Sequence, residues 1–167
     1  QNRKIKFYQA STSEMFGKHN KNNQDEKTQF HPRSPYATSK AFAHYTVQNY
    51  REAYNLYAVS GILFNHESPR RGTNFVTNKV VNGAVAIKKG LQSKLELGNM
   101  DSQRDWGHSK DYVRAMHMII NHDTPEEFIV ATGKTHSVRD LCETVFSKLG
   151  LDYRDYIVQN PKYMRPE

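Results

Sequence analysis

The chain has 167 residues, 37% of them hydrophobic, enough for one domain with a sizeable core and too apolar for a disordered polymer. Its formal charge of +7 raises the question of a polyanionic partner. The basic residues are scattered, however, with Arg70-Arg71 and Lys88-Lys89 the densest pairs, so a nucleic-acid role fits poorly. The longest apolar runs, such as residues 57–64, are far too short to cross a bilayer, and no stretch has the order of a secretory signal. A single cysteine forms no internal disulfide, so a reducing, cytoplasmic setting without a membrane is expected.

Residues 5–10 are a short β-prone run ending in Ser11-Thr12-Ser13. Residues 17–35 are polar and rich in Asn, Lys and Pro, which predicts an exposed loop. Ser34-Pro35 supplies a capping hydroxyl and then proline at the first helical position, so a helix is predicted from there to about residue 54. Its buried stripe reads as Ala37, Ala41, Tyr45 and Gln48, with Phe42, Val47 and Tyr50 nearby. Residues 57–64 form an unbroken apolar run of the kind found in a parallel sheet covered on both faces. An amphipathic helix is predicted over 75–89, brief strands over 95–97 and 104–108, and a helix over 109–122. Residues 128–131 read as a strand, Ser137-Val-Arg-Asp140 as the start of a helix reaching 149, and Gly150 as its stop. Within that helix Cys142 sits among Leu141, Val145, Phe146 and Leu149 and is read as a small core residue. Residues 151–167 carry little regular signal.

This alternation implies an α/β architecture with a parallel sheet. No Gly-x-Gly-x-x-Gly follows a first strand. The expectation is therefore the second half of a Rossmann-like doubly wound parallel sheet, with a smaller mixed C-terminal substrate-binding portion. Residues 1–167 would then be part of one domain whose cofactor-cradling half lies outside them.

Tyr36-Ala-Thr-Ser-Lys40 places a phenol and an ammonium one turn apart on the same helix face. A free phenol titrates near pH 10, and a cation within about 4–6 Å favours its anion. Alone, that spacing equally describes a half-buried tyrosine beside a surface lysine. Upstream, a strand delivers Ala10-Ser-Thr-Ser-Glu14 at its C-terminal end, where open α/β sheets place ligands. Hydroxyls and a carboxylate there are expensive to bury without partners, although Ser and Thr also cap or turn a chain. A strand ending in Ser-Thr-Ser-Glu, a polar loop, then Pro-Arg-Ser-Pro-Tyr-x-x-x-Lys resembles the extended short-chain dehydrogenases. Phe7-Tyr-Gln-Ala-Ser-Thr-Ser-Glu-Met-Phe-Gly17, Asn65-His-Glu-Ser-Pro-Arg-Arg-Gly72, Phe75-Val-Thr-Asn-Lys79 and Gln103-Arg-Asp-Trp-Gly-His-Ser-Lys-Asp-Tyr-Val113 are similar to the GDP-mannose 4,6-dehydratase family in particular. The likeness covers nearly the whole chain, with its motifs in family order.

The resemblance implies oxidation of the mannose unit at C4, loss of water across C5 and C6, and reduction of C6 with the same hydride carried by NADP. It would make Tyr36 the base at the C4 hydroxyl, with Lys40 holding it ionised and binding the nicotinamide ribose. Thr12 would hydrogen-bond the C4 oxygen, Glu14 would take the C5 proton, and Ser13 would assist proton delivery to the leaving C6 oxygen. His66 and Arg71 match cofactor positions; Asn65, Lys79, Arg104 and Arg165 match positions around the GDP part of GDP-mannose. Trp106 reads as a packing wall or as core. A homo-oligomer, dimer or tetramer, is implied for the full-length protein. The histidines show no metal-ligand spacing, and no metal is expected. The alternatives are another nucleotide-sugar dehydratase or epimerase, or a catalytically inactive binding module, since residues 1–167 alone are expected to turn over little.

Overall fold

A computed structural model describes residues 5–17 and 23–164. In chain order they form β1 (Phe7–Thr12), a 3-10 turn (Ser13–Met15), α1 (Pro35–Tyr54), β2 (Ala58–Leu63), β3 (Asn65–Glu67) and α2 (Val76–Lys88). There follow β4 (Leu95–Leu97), β5 (Gln103–His108), α3 (Ser109–Ile120), β6 (Glu127–Val130), β7 (Thr135–Ser137), α4 (Val138–Lys148) and β8 (Ile157–Gln159). They divide into two compact units. One holds the described residues up to His66 with Gly107–Thr132; the other holds Glu67–Trp106 with the described residues from Gly133 onward.

The first unit is a parallel sheet in the order β1-β2-β6, with Phe7 opposite Ala58 through Thr12 opposite Leu63, and Ser60 opposite Glu127 through Leu63 opposite Val130. Every residue of β2 is buried, as the apolar run predicts for a central strand. Gly61 in that strand is required by a close approach: a Cβ there would stand 2.1 Å from the Tyr8 hydroxyl. The crossover helix α1 starts where the sequence signals it, the Ser34 hydroxyl accepting the Ala37 N–H at 3.0 Å. It stops at Asn55, in the left-handed region at φ 50°.

The face that α1 buries is Ala37, Ala41, His44 and Val47; Tyr45 is 52% exposed and Phe42 75% exposed, contrary to the stripe read from the sequence. Helical phase explains the difference. At about 100° per residue, Tyr45 lies about 80° round the helix from Ala37, whereas His44 lies about 20° away. Ala41 packs with Met15, Phe16 and Ile62, flanked by Phe30, Phe64 and Ile129. Fully burying a side chain such as Ile62 contributes about 1.5–3 kcal/mol.

The second unit has its own core, built from Val80, Ala84 and Ile87 of α2, Leu95 and Leu97 of β4, Met100, and Val138, Cys142 and Phe146 of α4. Trp106 is partly buried against it. α4 opens with a reciprocal cap: the Ser137 hydroxyl accepts the Asp140 N–H at 3.0 Å, and the Asp140 carboxylate accepts the Ser137 N–H at 2.8 Å. Hydrogen bonding from the Ser137 N–H, and after it from the Ser137 side chain, holds the Asp140 carboxyl below its ordinary range. Gly150 follows at φ +69° and ends the helix. The C-terminal stretch is more regular than its sequence suggests, because Ile157–Gln159 pairs in parallel with Leu95–Leu97 as β8. β5 and β7 pair antiparallel, Arg104 opposite His136. Among the described residues no helix is long and apolar enough to cross a membrane.

Candidate active site

The tip of β1 is fixed from behind. Met15 and Phe16 are buried, and the His31 N–H donates to the Met15 carbonyl at 2.9 Å. This leaves Thr12 and Ser13 half-buried and Glu14 exposed on an anchored turn. Thr12 caps that turn, its hydroxyl oxygen accepting the Glu14 N–H at 3.3 Å. The hydroxyl hydrogen stays available to donate to a ligand oxygen. Ser11 has a different fate: it is 3% exposed, and its hydroxyl lies 2.8 Å from Nδ1 of His44, itself 3% exposed. The strand tip thus splits its hydroxyls between structure and site, as the alternation of side chains along a strand requires.

On α1, Tyr36 sits in the first turn with its side chain 55% exposed, and the Lys40 ammonium lies 5.8 Å from the centroid of its ring. That is within cation–π range. Lys40 also reaches across to β1, donating to the Ala10 carbonyl at 2.9 Å. One of its three donors is thereby engaged. His44 stands one turn further on the same face, where Phe30 meets its ring edge-on at 5.1 Å. Burial pushes its pKa down, Glu127 opposes that shift, and Arg51 adds to it. At the far end of α1, Arg51 pairs with Glu127 at 2.5 Å and donates to the Ala58 carbonyl at 3.0 Å. Helix and sheet are therefore joined at Ala10, Ser11, Ala58 and Glu127.

Asn65 and His66, both half-buried, belong to the same unit. The His66 ring stacks on Tyr112 at 4.7 Å, and its Nδ1 lies 3.0 Å from the Phe64 carbonyl. Since a carbonyl only accepts, Nδ1 carries the proton and Nε2 of the neutral ring is left as an acceptor. Arg71, Lys79 and Arg104 belong to the other unit. Arg71 makes a 3.2 Å ion pair with Glu67 without hydrogen-bond alignment, and its guanidinium lies 3.6 Å over the Phe75 ring. Glu67 is held in turn by the Thr77 hydroxyl at 2.6 Å. Lys79 lies 4.0 Å over the Tyr163 ring, and Arg104, half-buried on β5, donates to the Gln103 carbonyl at 2.7 Å. Arg165 lies outside the described residues.

The sequence reading passed over His44. The available signal was its place at i+4 from Lys40 and i+7 from Ala37, on the stripe that faces β1.

The family model described as GDP-mannose 4,6 dehydratase matches residues 1–167. The chain belongs to the GDP-mannose 4,6-dehydratase family. Among this family's members, GDP-mannose 4,6 dehydratase 1 of Arabidopsis thaliana is 51% identical over 164 residues, covering 98% of this chain and 45% of its own length. The Homo sapiens GDP-mannose 4,6 dehydratase is 55% identical over 146 residues, covering 87% of this chain and 39% of its own. The chain thus spans less than half the length of these relatives. In three dimensions it is similar to the dTDP-glucose 4,6-dehydratase of Bacillus anthracis solved in complex with NAD, with TM-score 0.85 and 26% identity over 95% of this chain and 50% of that one. It is also similar to RMD from Pseudomonas aeruginosa complexed with NADPH, with TM-score 0.86 and 25% identity over 95% of this chain and 55% of that one. The Rossmann-like α/β class expected from the sequence is the one these proteins share with it.

Proposed function

We propose that residues 1–167 are the catalytic and substrate-binding part of one cytoplasmic, NADP-dependent GDP-mannose 4,6-dehydratase domain, completed by a cofactor-cradling half outside them and assembled as a dimer or tetramer. The reading is supported above all by the union of the Thr12–Glu14 turn with the Tyr36/Lys40 helix face through the 2.9 Å bond from Lys40 to Ala10. In a β–α–β unit with parallel strands the helix runs back against them. Eight residues from His44 toward the start of α1 cover about 12 Å, which carries Tyr36 past Ser11 toward the end of β1 that bears Thr12 and Glu14.

A nicotinamide ribose suits Lys40, because the two ammonium donors left after Ala10 match a vicinal diol. His66 would face the same cofactor with Nε2, and Arg71 would offer a cation to the 2′-phosphate that distinguishes NADP. When bound, the cofactor would supply a hydride acceptor for C4 of the sugar and a hydride donor for C6. Tyr36 takes the C4 hydroxyl proton, its anion favoured by the adjacent Lys40 charge. Thr12 donates its hydroxyl hydrogen to the C4 oxygen and orients the ring. Glu14 removes the C5 proton, which is acidic only while C4 is a ketone, so elimination waits for oxidation; a positioned carboxylate is a competent base for this step. Ser13 assists the proton that must reach the departing C6 oxygen. Asn65, Lys79, Arg104 and Arg165 would hold the GDP moiety, Arg104 by forked contact with diphosphate oxygens.

The test is incubation of the full-length enzyme with GDP-mannose and NADP, following GDP-4-keto-6-deoxymannose. Tyr36→Phe is expected to lower kcat by about 100-fold or more, the scale of a lost general base. Turnover confined to another nucleotide sugar removes the substrate assignment, and a Tyr36→Phe enzyme as fast as the parent removes the mechanism.

A further inference from the structure

Ser11 and His44 form a buried polar contact that the proposed chemistry does not use. Each is 3% exposed, and their side chains meet at 2.8 Å. An apolar pair would fill this position without any demand for hydrogen-bond geometry, whereas a buried hydroxyl and imidazole are costly unless each finds the other. What such a bond supplies over apolar packing is direction. Its ends are placed to use it: Ser11 precedes Thr12 on β1, and His44 follows Lys40 by one helical turn.

Successive strand residues point to opposite faces, so any roll of β1 that releases Ser11 swings Thr12 as well. On the helix side, sliding α1 along the sheet moves Tyr36 and Lys40 together with His44. The ring cannot easily turn away, since Phe30 meets it edge-on at 5.1 Å and Tyr45 at 5.9 Å. Lys40 makes the neighbouring bond to Ala10, but through a long flexible stem. Arg51 and Glu127 tie down only the far end of the helix. We infer that His44, through Ser11, is a positioning residue: it sets the registry between the strand tip bearing Thr12 and Glu14 and the helix bearing Tyr36 and Lys40. The inference deepens the dehydratase reading and rests on it.

The test is a double-mutant cycle in the full-length enzyme, with kcat and KM for GDP-mannose measured for His44→Leu, His44→Asn, Ser11→Ala and the Ser11→Ala/His44→Leu double variant. A displacement of about 1 Å at reacting groups costs on the order of 100-fold in rate. His44→Leu is therefore expected to lower kcat by about tenfold or more, with KM held within about twofold. Asn places an amide where Nδ1 stood, so His44→Asn should recover kcat to within about threefold of the parent. Since both residues act through one bond, the double variant should be no slower than the worse single one. The inference is overturned by a His44→Leu enzyme with parental kcat, by an Asn variant no better than Leu, or by losses that multiply in the double variant. Should His44→Leu fail to fold, Ser11→Ala and His44→Asn decide alone: parental kcat in Ser11→Ala overturns it, and a loss there with near-parental His44→Asn upholds it. A parent enzyme inert toward GDP-mannose brings down the proposed function and this inference with it, whereas an active parent indifferent to His44 brings down the inference alone.

Discussion

Replacing Gly61 by alanine tests how tightly β1 and β2 are matched beneath the site. The added methyl would lie 2.1 Å from the Tyr8 hydroxyl oxygen and 3.0 Å from the ring carbon bearing it, so the ring must retreat by about 1 Å. Overpacking of this kind costs about 1–3 kcal/mol, and alanine returns about 0.5–1 kcal/mol by restricting the unfolded chain. The net expected loss is about 0–2.5 kcal/mol. The obstacle is a buried hydroxyl without a hydrogen-bond partner among the described residues, and burial pushes its pKa up to about 12. Tyr8→Phe should therefore be neutral or stabilise by up to about 1 kcal/mol, because an unsatisfied buried group is removed. In the Phe background the ring-carbon contacts at 3.0 and 3.2 Å remain, and Gly61→Ala should cost less by about 1 kcal/mol, the coupling between the two sites. Urea midpoints of the four full-length proteins read this directly. Equal losses with and without the hydroxyl would refute the reasoning, as would a Tyr8→Phe protein weakened by more than about 1 kcal/mol.

Two further outcomes concern titration. Cys142 is fully buried, and burial pushes its thiol up to about 12, so it should resist alkylation at pH 8 in the folded protein and react once urea unfolds it; rapid labelling of folded protein would contradict its place in the core. His44 is held below the ordinary histidine range by burial, with Arg51 reinforcing and Glu127 opposing the shift. The unfolded chain therefore takes up a proton below about pH 6.5 that the folded one refuses. Stability should fall as pH drops through that value and level off below the folded-state pKa, and His44→Asn should remove this part of the slope in urea midpoints taken from pH 8 to pH 5.

Elements set by nearby residues were legible in the sequence. Ser34-Pro35 and Ser137-x-x-Asp140 announced two helix starts through caps spanning three residues, and the unbroken run over 57–64 announced a central strand. Residues 157–159 gave no such signal, because a three-residue strand owes its existence to a partner, Leu95–Leu97, some sixty residues earlier. The place of His44 was hidden for the same reason. An imidazole on a buried stripe looks misplaced until Ser11 arrives from another element 33 residues away. The one-turn spacing of Tyr36 and Lys40 on α1 and the place of Thr12, Ser13 and Glu14 at the tip of β1 were legible, whereas the roles proposed for them came from the family resemblance. Arg71 shows what spacing leaves out: its neighbours Glu67 and Phe75 are close in sequence, yet an ion pair and a ring contact at one guanidinium follow from loop conformation rather than from order along the chain.

The bond from Lys40 to Ala10 ends on a main-chain oxygen. No replacement of the Ala10 side chain deletes that acceptor, so the tether itself makes no demand on the side chain at position 10. The whole mutational risk of the tether falls on the lysine, to whose architectural duty the proposed chemistry would add a second.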